Sequence, residues 1–274
     1  MKKTKIGIVG HGFVGRAVVY GFKNRNSDIK IFDKFQKTDS LEDTLAHAEF
    51  IFVCLPTPYK GKRIDLSIMN EMVGKIAKQI KGSNKIIIIK STIIPGTTER
   101  YAKKYPKVNF CFNPEFLREK TANQDFVKAD RTVIGVSKAN IGKRVRALYE
   151  KRFSKSTFFI TSFTEAELAK YMNNLYLATK VIFANEMFDL AERLGINYNR
   201  AKEIVGADKR IGPSHLDVTS ERGFGGKCFP KDLVALIGLY KDLGLKSELL
   251  ESVQKKNLRI RKYHDWEDIP FVKS

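Results

Sequence analysis

Residues 5–10 form a short run rich in Ile and Val that ends on Gly10, and residues 16–23 bring apolar side chains back at helical spacing. An apolar run of this length reads as a strand, and recurrence every three to four residues reads as one face of a helix. The chain therefore opens as strand, turn, helix. Further β-rich runs lie at 29–33, 49–55, 85–90, 108–112 and 131–136, separated by stretches of helical character such as 66–81 and 97–104. Strands alternating with helices predict an α/β fold with a mostly parallel sheet, because parallel neighbours need a long crossover and a helix supplies it. Residues 157–160 read as the last strand.

The pattern then changes. Between Phe163 and Leu194 there is neither glycine nor proline, and apolar residues recur at helical spacing. One long helix is expected. Ser162-Phe-Thr-Glu165 is a capping box, in which hydroxyl and carboxylate each satisfy a free backbone N–H, and Gly195 is the natural stop. Residues 198–205, 231–243 and 247–262 read as further helices. The expected division is an α/β domain over 1–161, an all-helical domain built on the long helix over 162–262, and a short tail over 263–274.

Composition narrows the class. With 43% hydrophobic and 29% charged residues the chain is expected to be globular rather than disordered. Its three cysteines, Cys54, Cys111 and Cys228, are too scattered for a disulfide framework or a zinc site, so a metal-free cytoplasmic protein is expected. Glycines interrupt the N-terminal apolar run, and no stretch approaches the roughly 20 apolar residues of a membrane helix, so neither a signal peptide nor a membrane span is expected. The net charge of +20 admits polyanion binding or steering of anionic substrates, but the charges are scattered, and a solvated Lys-rich surface is preferred to a nucleic-acid partner.

Gly10-His-Gly12-Phe13-Val14-Gly15 has the G-x-G-x-x-G spacing directly after a strand and before a helix, the context a dinucleotide-binding fingerprint requires. The first glycine permits the tight turn, the second lets backbone approach a pyrophosphate, and the third allows close helix–strand packing. Asp33, ending the second strand, is placed to accept hydrogen bonds from ribose hydroxyls and would repel a 2′-phosphate. NAD is favoured over NADP, and the first domain reads as Rossmann-type.

Cys54 and Cys111 lie in apolar strands and read as structural thiols, whereas Cys228 stands in the polar, glycine-rich stretch Arg222-Gly-Phe-Gly-Gly-Lys-Cys-Phe-Pro-Lys-Asp232. If Pro230 opens a helix as its first residue, Cys228 and Asp232 stand near that helix's first turn, where the positive end lowers a thiol pKa. Lys170 and Asn174, four apart, share one face of the long helix. They read equally well as a ligand-converging pair or as a solvent-facing one.

Taken in order, Phe52-Val-Cys-Leu-Pro-Thr-Pro58, Ser91-Thr-Ile-Ile-Pro-Gly-Thr-Thr98, Asn113-Pro-Glu-Phe-Leu-Arg-Glu119, Glu167-Leu-Ala-Lys170 through Asn174, Asp208-Lys-Arg-Ile-Gly-Pro-Ser-His215 and Gly223 to Asp232 resemble the motifs of the UDP-glucose/GDP-mannose dehydrogenase family. The fifth and sixth are more similar to its UDP-glucose 6-dehydrogenase branch. The resemblance implies NAD-dependent oxidation of a sugar's primary alcohol to the carboxylate in two hydride transfers, through a thiohemiacetal and thioester on Cys228. It further implies that Lys170 and Asn174, with Thr92 and a water held by Asp232, stabilise the oxyanion and serve the proton transfers. It makes Glu115 the base for thioester hydrolysis and puts Thr57, Thr92 and Glu119 on the cofactor side. Phe116, Leu117, Arg118, Lys170, Asn174, Arg210 and the Phe224, Gly225 and Gly226 backbone would hold the nucleotide sugar, UDP-glucose by preference. A homodimer through the long helix is implied as well.

Members of the family normally continue into a second α/β domain over the substrate's nucleotide, for which 263–274 leaves no room, so a chain without that lid is expected, with a separate chain as one way to supply it. Lys120 also stands where a small residue is typical. Beside the active enzyme, three readings stay open: an NAD-binding regulatory protein without independent turnover, a hydroxyacid dehydrogenase that does not need Cys228, and a basic nucleic-acid binder.

Overall fold

The computed structural model describes residues 3–61, 63–153 and 155–268, so the last six residues of the expected tail lie outside the described residues. The chain divides into two compact units, Met1–Thr57 with Leu66–Lys170, and Pro58–Asp65 with Tyr171–Ser274.

The first unit begins with strand β1 (Thr4–Val9), helix α1 (Phe13–Phe22), β2 (Ser27–Phe32), α2 (Leu41–His47) and β3 (Phe50–Val53). A short hairpin, β4 (Tyr59–Lys60) and β5 (Arg63–Ile64), interrupts it and belongs to the second unit. The first unit resumes with α3 (Ser67–Ile80), β6 (Ile86–Ile89), α4 (Thr97–Lys104), β7 (Asn109–Phe112), α5 (Ala122–Val127), β8 (Arg131–Gly135), α6 (Ala139–Glu150) and β9 (Thr157–Thr161). Seven strands pair in the order β2-β1-β3-β6-β7-β8-β9. Every pairing is parallel except β7 with β8, which meet antiparallel at Phe112 and Gly135.

The four consecutive isoleucines of β6 show why the central strands are apolar at every position. Ile87 and Ile89 enter one core with Met69, Val73 and Tyr101, while Ile86 and Ile88 enter another with Val18, Phe22 and Val145. A parallel strand covered by helices on both faces has no solvent side, and each buried isoleucine contributes about 2 kcal/mol.

Helix α7 (Phe163–Leu194) starts on the expected capping box: Ser162 Oγ accepts the Glu165 N–H at 3.3 Å and Glu165 Oε2 accepts the Ser162 N–H at 2.9 Å. Bonds from Thr161 and Ser162 draw the Glu165 carboxyl down to about 2. Gly195 ends the helix with φ +66°. The second unit continues with α8 (Tyr198–Gly206), α9 (Phe229–Asp242), α10 (Glu248–Ile260) and a 3-10 turn at Asp265–Glu267. Among the described residues no helix, α7 included, is long and apolar enough to cross a membrane.

Candidate active site

In the first unit the chain leaves β1 for β2 on one side and returns to β3 on the other, which makes the end of β1 a topological switch point. Gly10 sits there with φ +94°, and a Cβ on it would lie 2.4 Å from the Cys54 carbonyl oxygen. A Cβ on Gly15 would lie 2.1 Å from the Gly10 carbonyl oxygen, so the helix start rests on the strand end. Gly12 differs: nothing lies within 4 Å of its added Cβ, and the backbone there is open to a ligand. Phe13 and Val14 begin α1, whose first turn holds no acidic side chain to compete for an anion. Asp33 follows β2 by one residue; its Oδ2 accepts the His11 N–H at 2.7 Å and its Oδ1 the Phe35 N–H at 2.9 Å. These residues fit NAD: an open backbone at a helix N-terminus for the pyrophosphate, and a fixed carboxylate for the ribose.

The two glycines make opposite predictions. Gly12→Ala should leave thermal stability unchanged while weakening NAD binding about tenfold, by placing a methyl where the pyrophosphate approaches. Gly15→Ala should destabilise the fold by about 1–3 kcal/mol, because backbone must move. Calorimetric NAD titration beside thermal melts separates the two.

The loops after β3 and β6 are tied together. Leu55 donates its N–H to Ser91 Oγ at 2.9 Å, Ser91 Oγ donates to the Leu55 carbonyl at 2.7 Å, and Thr57 Oγ1 donates to the Thr92 carbonyl at 2.8 Å. After β7, Glu115 is buried; its Oε2 accepts the Leu117 N–H at 2.7 Å and its Oε1 lies 3.0 Å from Lys170 Nζ, itself buried. Lys170 also stands over the Phe116 ring, 5.5 Å from its centre. Arg118 instead forks onto Asp125 at 2.7 and 3.1 Å, holding that carboxyl near 2, and Glu119 and Lys120 are exposed.

Two buried charges in this unit escaped the sequence reading. Glu167 accepts the N–H groups of Gly96 (2.5 Å) and Thr98 (2.8 Å) and the Thr98 hydroxyl (2.6 Å), capping α4 from one turn before Lys170; burial pushes its pKa up. Lys90 closes the isoleucine strand and donates to Asn113 Oδ1 at 2.8 Å and to the Pro114 carbonyl at 3.3 Å, bracing the turn that carries Glu115. Burial pulls the Lys90 ammonium down to about 8, against Cys54, Glu115 and Cys111 and with Lys170.

An unfolded lysine titrates near 10.4, so between about pH 8 and pH 10 the unfolded chain binds more protons at this position and stability rises with pH. Urea unfolding of wild type and Lys90→Met should therefore shift by ~2 kcal/mol in favour of wild type between pH 7.5 and pH 10. A constant difference would contradict this.

In the second unit, Cys228 is the N-cap of α9 and is half-buried. The helix opens at Phe229, and Pro230 is its second residue rather than its first, which leaves the thiol directly on the helix end. Asp232, buried one turn on, donates its N–H to the Cys228 carbonyl at 2.9 Å. Its Oδ2 accepts from Asn174 Nδ2 at 2.6 Å and its Oδ1 from Lys231 Nζ at 2.7 Å. Lys231 was not singled out from sequence; a lysine beside an aspartate at a helix start looks like surface charge. Phe224 is buried, with Gly225 and Gly226 following it, whereas Arg210 is exposed and forks onto Asp208 at 2.6 and 3.1 Å. The other thiols differ sharply from Cys228. Both are buried, and burial pushes Cys54 up to about 12 and Cys111 higher still.

Residues 33–153 match the model of the NAD binding domain of the UDP-glucose/GDP-mannose dehydrogenase family, and residues 164–259 match that family's central domain. The chain belongs to this family. The match to the NAD binding domain begins at Asp33, the residue that follows β2. The chain is 36% identical over 231 residues to UDP-glucose 6-dehydrogenase of Rickettsia typhi, covering 82% of this chain and 52% of that protein. It is 35% identical over 234 residues to the Pseudomonas aeruginosa UDP-glucose 6-dehydrogenase, covering 81% and 51%. A UDP-glucose dehydrogenase structure from Pyrobaculum islandicum superposes with TM-score 0.85 at 28% identity, over 94% of this chain and 68% of that one. The chain spans about half the length of the curated relatives it matches.

Proposed function

We propose that the chain is a cytoplasmic, NAD-dependent nucleotide-sugar dehydrogenase that oxidises the C6 alcohol of UDP-glucose to the carboxylate. The supporting observation is the contrast among its thiols: Cys228 alone is accessible, on a helix N-terminus that favours negative charge, with buried Asp232 and Asn174 bonded to each other one turn along. The Gly10–Gly15 loop and Asp33 would hold NAD, which would supply a hydride acceptor, one molecule for each of the two oxidations.

The chain's own groups do the rest. The alcohol proton leaves through a water held by Asp232 to the Asp232 carboxylate as the sugar carbon gives up the first hydride, while Lys170 and Asn174, with Thr92, donate to the sugar oxygen. Cys228 Sγ then adds to the aldehyde carbon, and its proton passes to the oxygen. Loss of the second hydride and of the hydroxyl proton leaves a thioester. Glu115 takes a proton from water, the water oxygen bonds to the carbonyl carbon, and the C–S bond breaks to give carboxylate and thiol. Phe116, Leu117, Arg118, Arg210 and the Phe224, Gly225 and Gly226 backbone hold the nucleotide sugar; Thr57 and Glu119 serve the cofactor end.

An exposed stripe along α7, Leu168, Met172, Tyr176, Phe183, Leu190 and Leu194, supports a homodimer through that helix. Mixing the protein with NAD and UDP-glucose should give two NADH per uronate. The alternative reading is NAD binding without independent turnover. NAD binding with no oxidation of UDP-glucose, other UDP-hexoses or GDP-mannose would decide for it.

A further inference from the structure

Residues 222–226 are costly to hold. Arg222 (φ 58°), Gly223 (φ 51°) and Gly226 (φ 77°) occupy left-handed backbone, where a side chain is strained and a glycine loses the most freedom on ordering. Asn185 on α7 accepts the Gly223 N–H at 3.1 Å, and three further side chains at four-residue intervals, Asn257, Arg261 and Asp265, engage the backbone of Arg222, Phe224 and Gly226. Asn257, buried on α10, accepts the Phe224 N–H at 2.8 Å and returns its amide to the Phe224 carbonyl at 3.0 Å. Arg261 donates to the Arg222 carbonyl at 3.1 Å and to Asp265 Oδ1 at 3.3 Å, and Asp265 Oδ2 accepts the Gly226 N–H at 3.1 Å.

The fit leaves no slack. A Cβ on Gly223 would lie 2.3 Å from Asn257 Oδ1, and one on Gly225 would lie 2.1 Å from Asp265 Oδ1. Asp265 is itself fixed by its neighbour Trp266, which is buried with Tyr59 and packed on by Val234, with His264 stacked on it at 4.7 Å. Glycine at 225 thus reflects contact with the segment after α10 as well as any approach of a ligand.

We propose that Asn257, Arg261 and Asp265 are positioning residues for the thiol loop: the end of α10 and the segment after it grip residues 222–226 and so set how Cys228 is presented. The proposal rests on Cys228 being the reacting thiol and adds what governs its reactivity.

The test uses the full chain with Asp265→Ala, which removes the acceptor, and Asp265→Asn, which keeps an oxygen for Gly226 but gives up the charge facing Arg261. Hydrogen exchange and the rate of Cys228 alkylation by iodoacetamide need no substrate. In Asp265→Ala, exchange at residues 224–226 should rise about tenfold while α7 keeps its protection. Alkylation should change about threefold or more, with Asp265→Asn in between. In turnover, kcat should fall while the KM for NAD holds. Gly225→Ala, which drives a methyl into Asp265, should loosen the same residues. Exchange and alkylation within twofold of wild type in Asp265→Ala would overturn the proposal, as would loss of protection along α7 in both Asp265 variants. If wild type shows no turnover, the dehydrogenase reading fails while exchange and alkylation still decide the grip.

Discussion

Cys228→Ser is expected to lower uronate formation by about 10³-fold or more, because a hydroxyl adds to an aldehyde without giving an acyl derivative as readily hydrolysed as a thioester. NAD affinity should not change, since the Gly10–Gly15 backbone and the Asp33 carboxylate carry the contacts proposed for the pyrophosphate and ribose. Cys54→Ser and Cys111→Ser should do the reverse. Each buries a hydroxyl in an apolar core, costing about 1–3 kcal/mol of stability, while the remaining folded protein still makes two NADH per uronate. Steady-state rates and product counts for the three serine variants, beside thermal melts, check this. Full-rate oxidation by Cys228→Ser with one NADH per product would instead identify a simpler alcohol dehydrogenase.

Lys170→Ala should damage both stability and rate. Glu115 and Lys170 form a buried pair at 3.0 Å, and removing the ammonium leaves a carboxylate that the interior cannot solvate, costing about 3–5 kcal/mol. Turnover should fall by about 10²–10⁴-fold, as expected for loss of an oxyanion donor and a proton-transfer partner together. The double variant Glu115→Gln with Lys170→Met tells the effects apart. It removes both charges at similar volume, so most of the stability should return, whereas turnover should stay low. Recovery of both would make the pair purely structural.

The sheet was legible because a strand covered on both faces must be apolar throughout, and 85–90 and 49–55 say so directly. The start of α7 was legible because a capping box is local: both partners lie within four residues. What escaped depends on distant partners. Helix α6 was not singled out from sequence; its Gly142 packs close to the methyls of Ile160 and Val136, where an added Cβ would lie 3.0 and 3.2 Å away. Strand β8 looks like its parallel neighbours, yet its single pairing to β7 is antiparallel. Lys90 and Glu167 look like ordinary surface charges, and only Asn113 and the α4 N-terminus, remote in sequence, bury them. In the thiol segment the glycines and Cys228 suggested the chemistry proposed above, but what holds the segment was not readable: Asn257, Arg261 and Asp265 become meaningful only once α10 has folded against it.

The most direct trial of covalent catalysis is acid-quenched peptide mass spectrometry of Glu115→Gln after mixing with NAD and UDP-glucose. Slowed hydrolysis should let an acyl adduct of the oxidised nucleotide sugar accumulate on the peptide containing Cys228, absent when NAD is omitted. Turnover by wild type with no adduct on that peptide in the variant, or with the adduct on another residue, would contradict the assignment of Cys228 as the nucleophile.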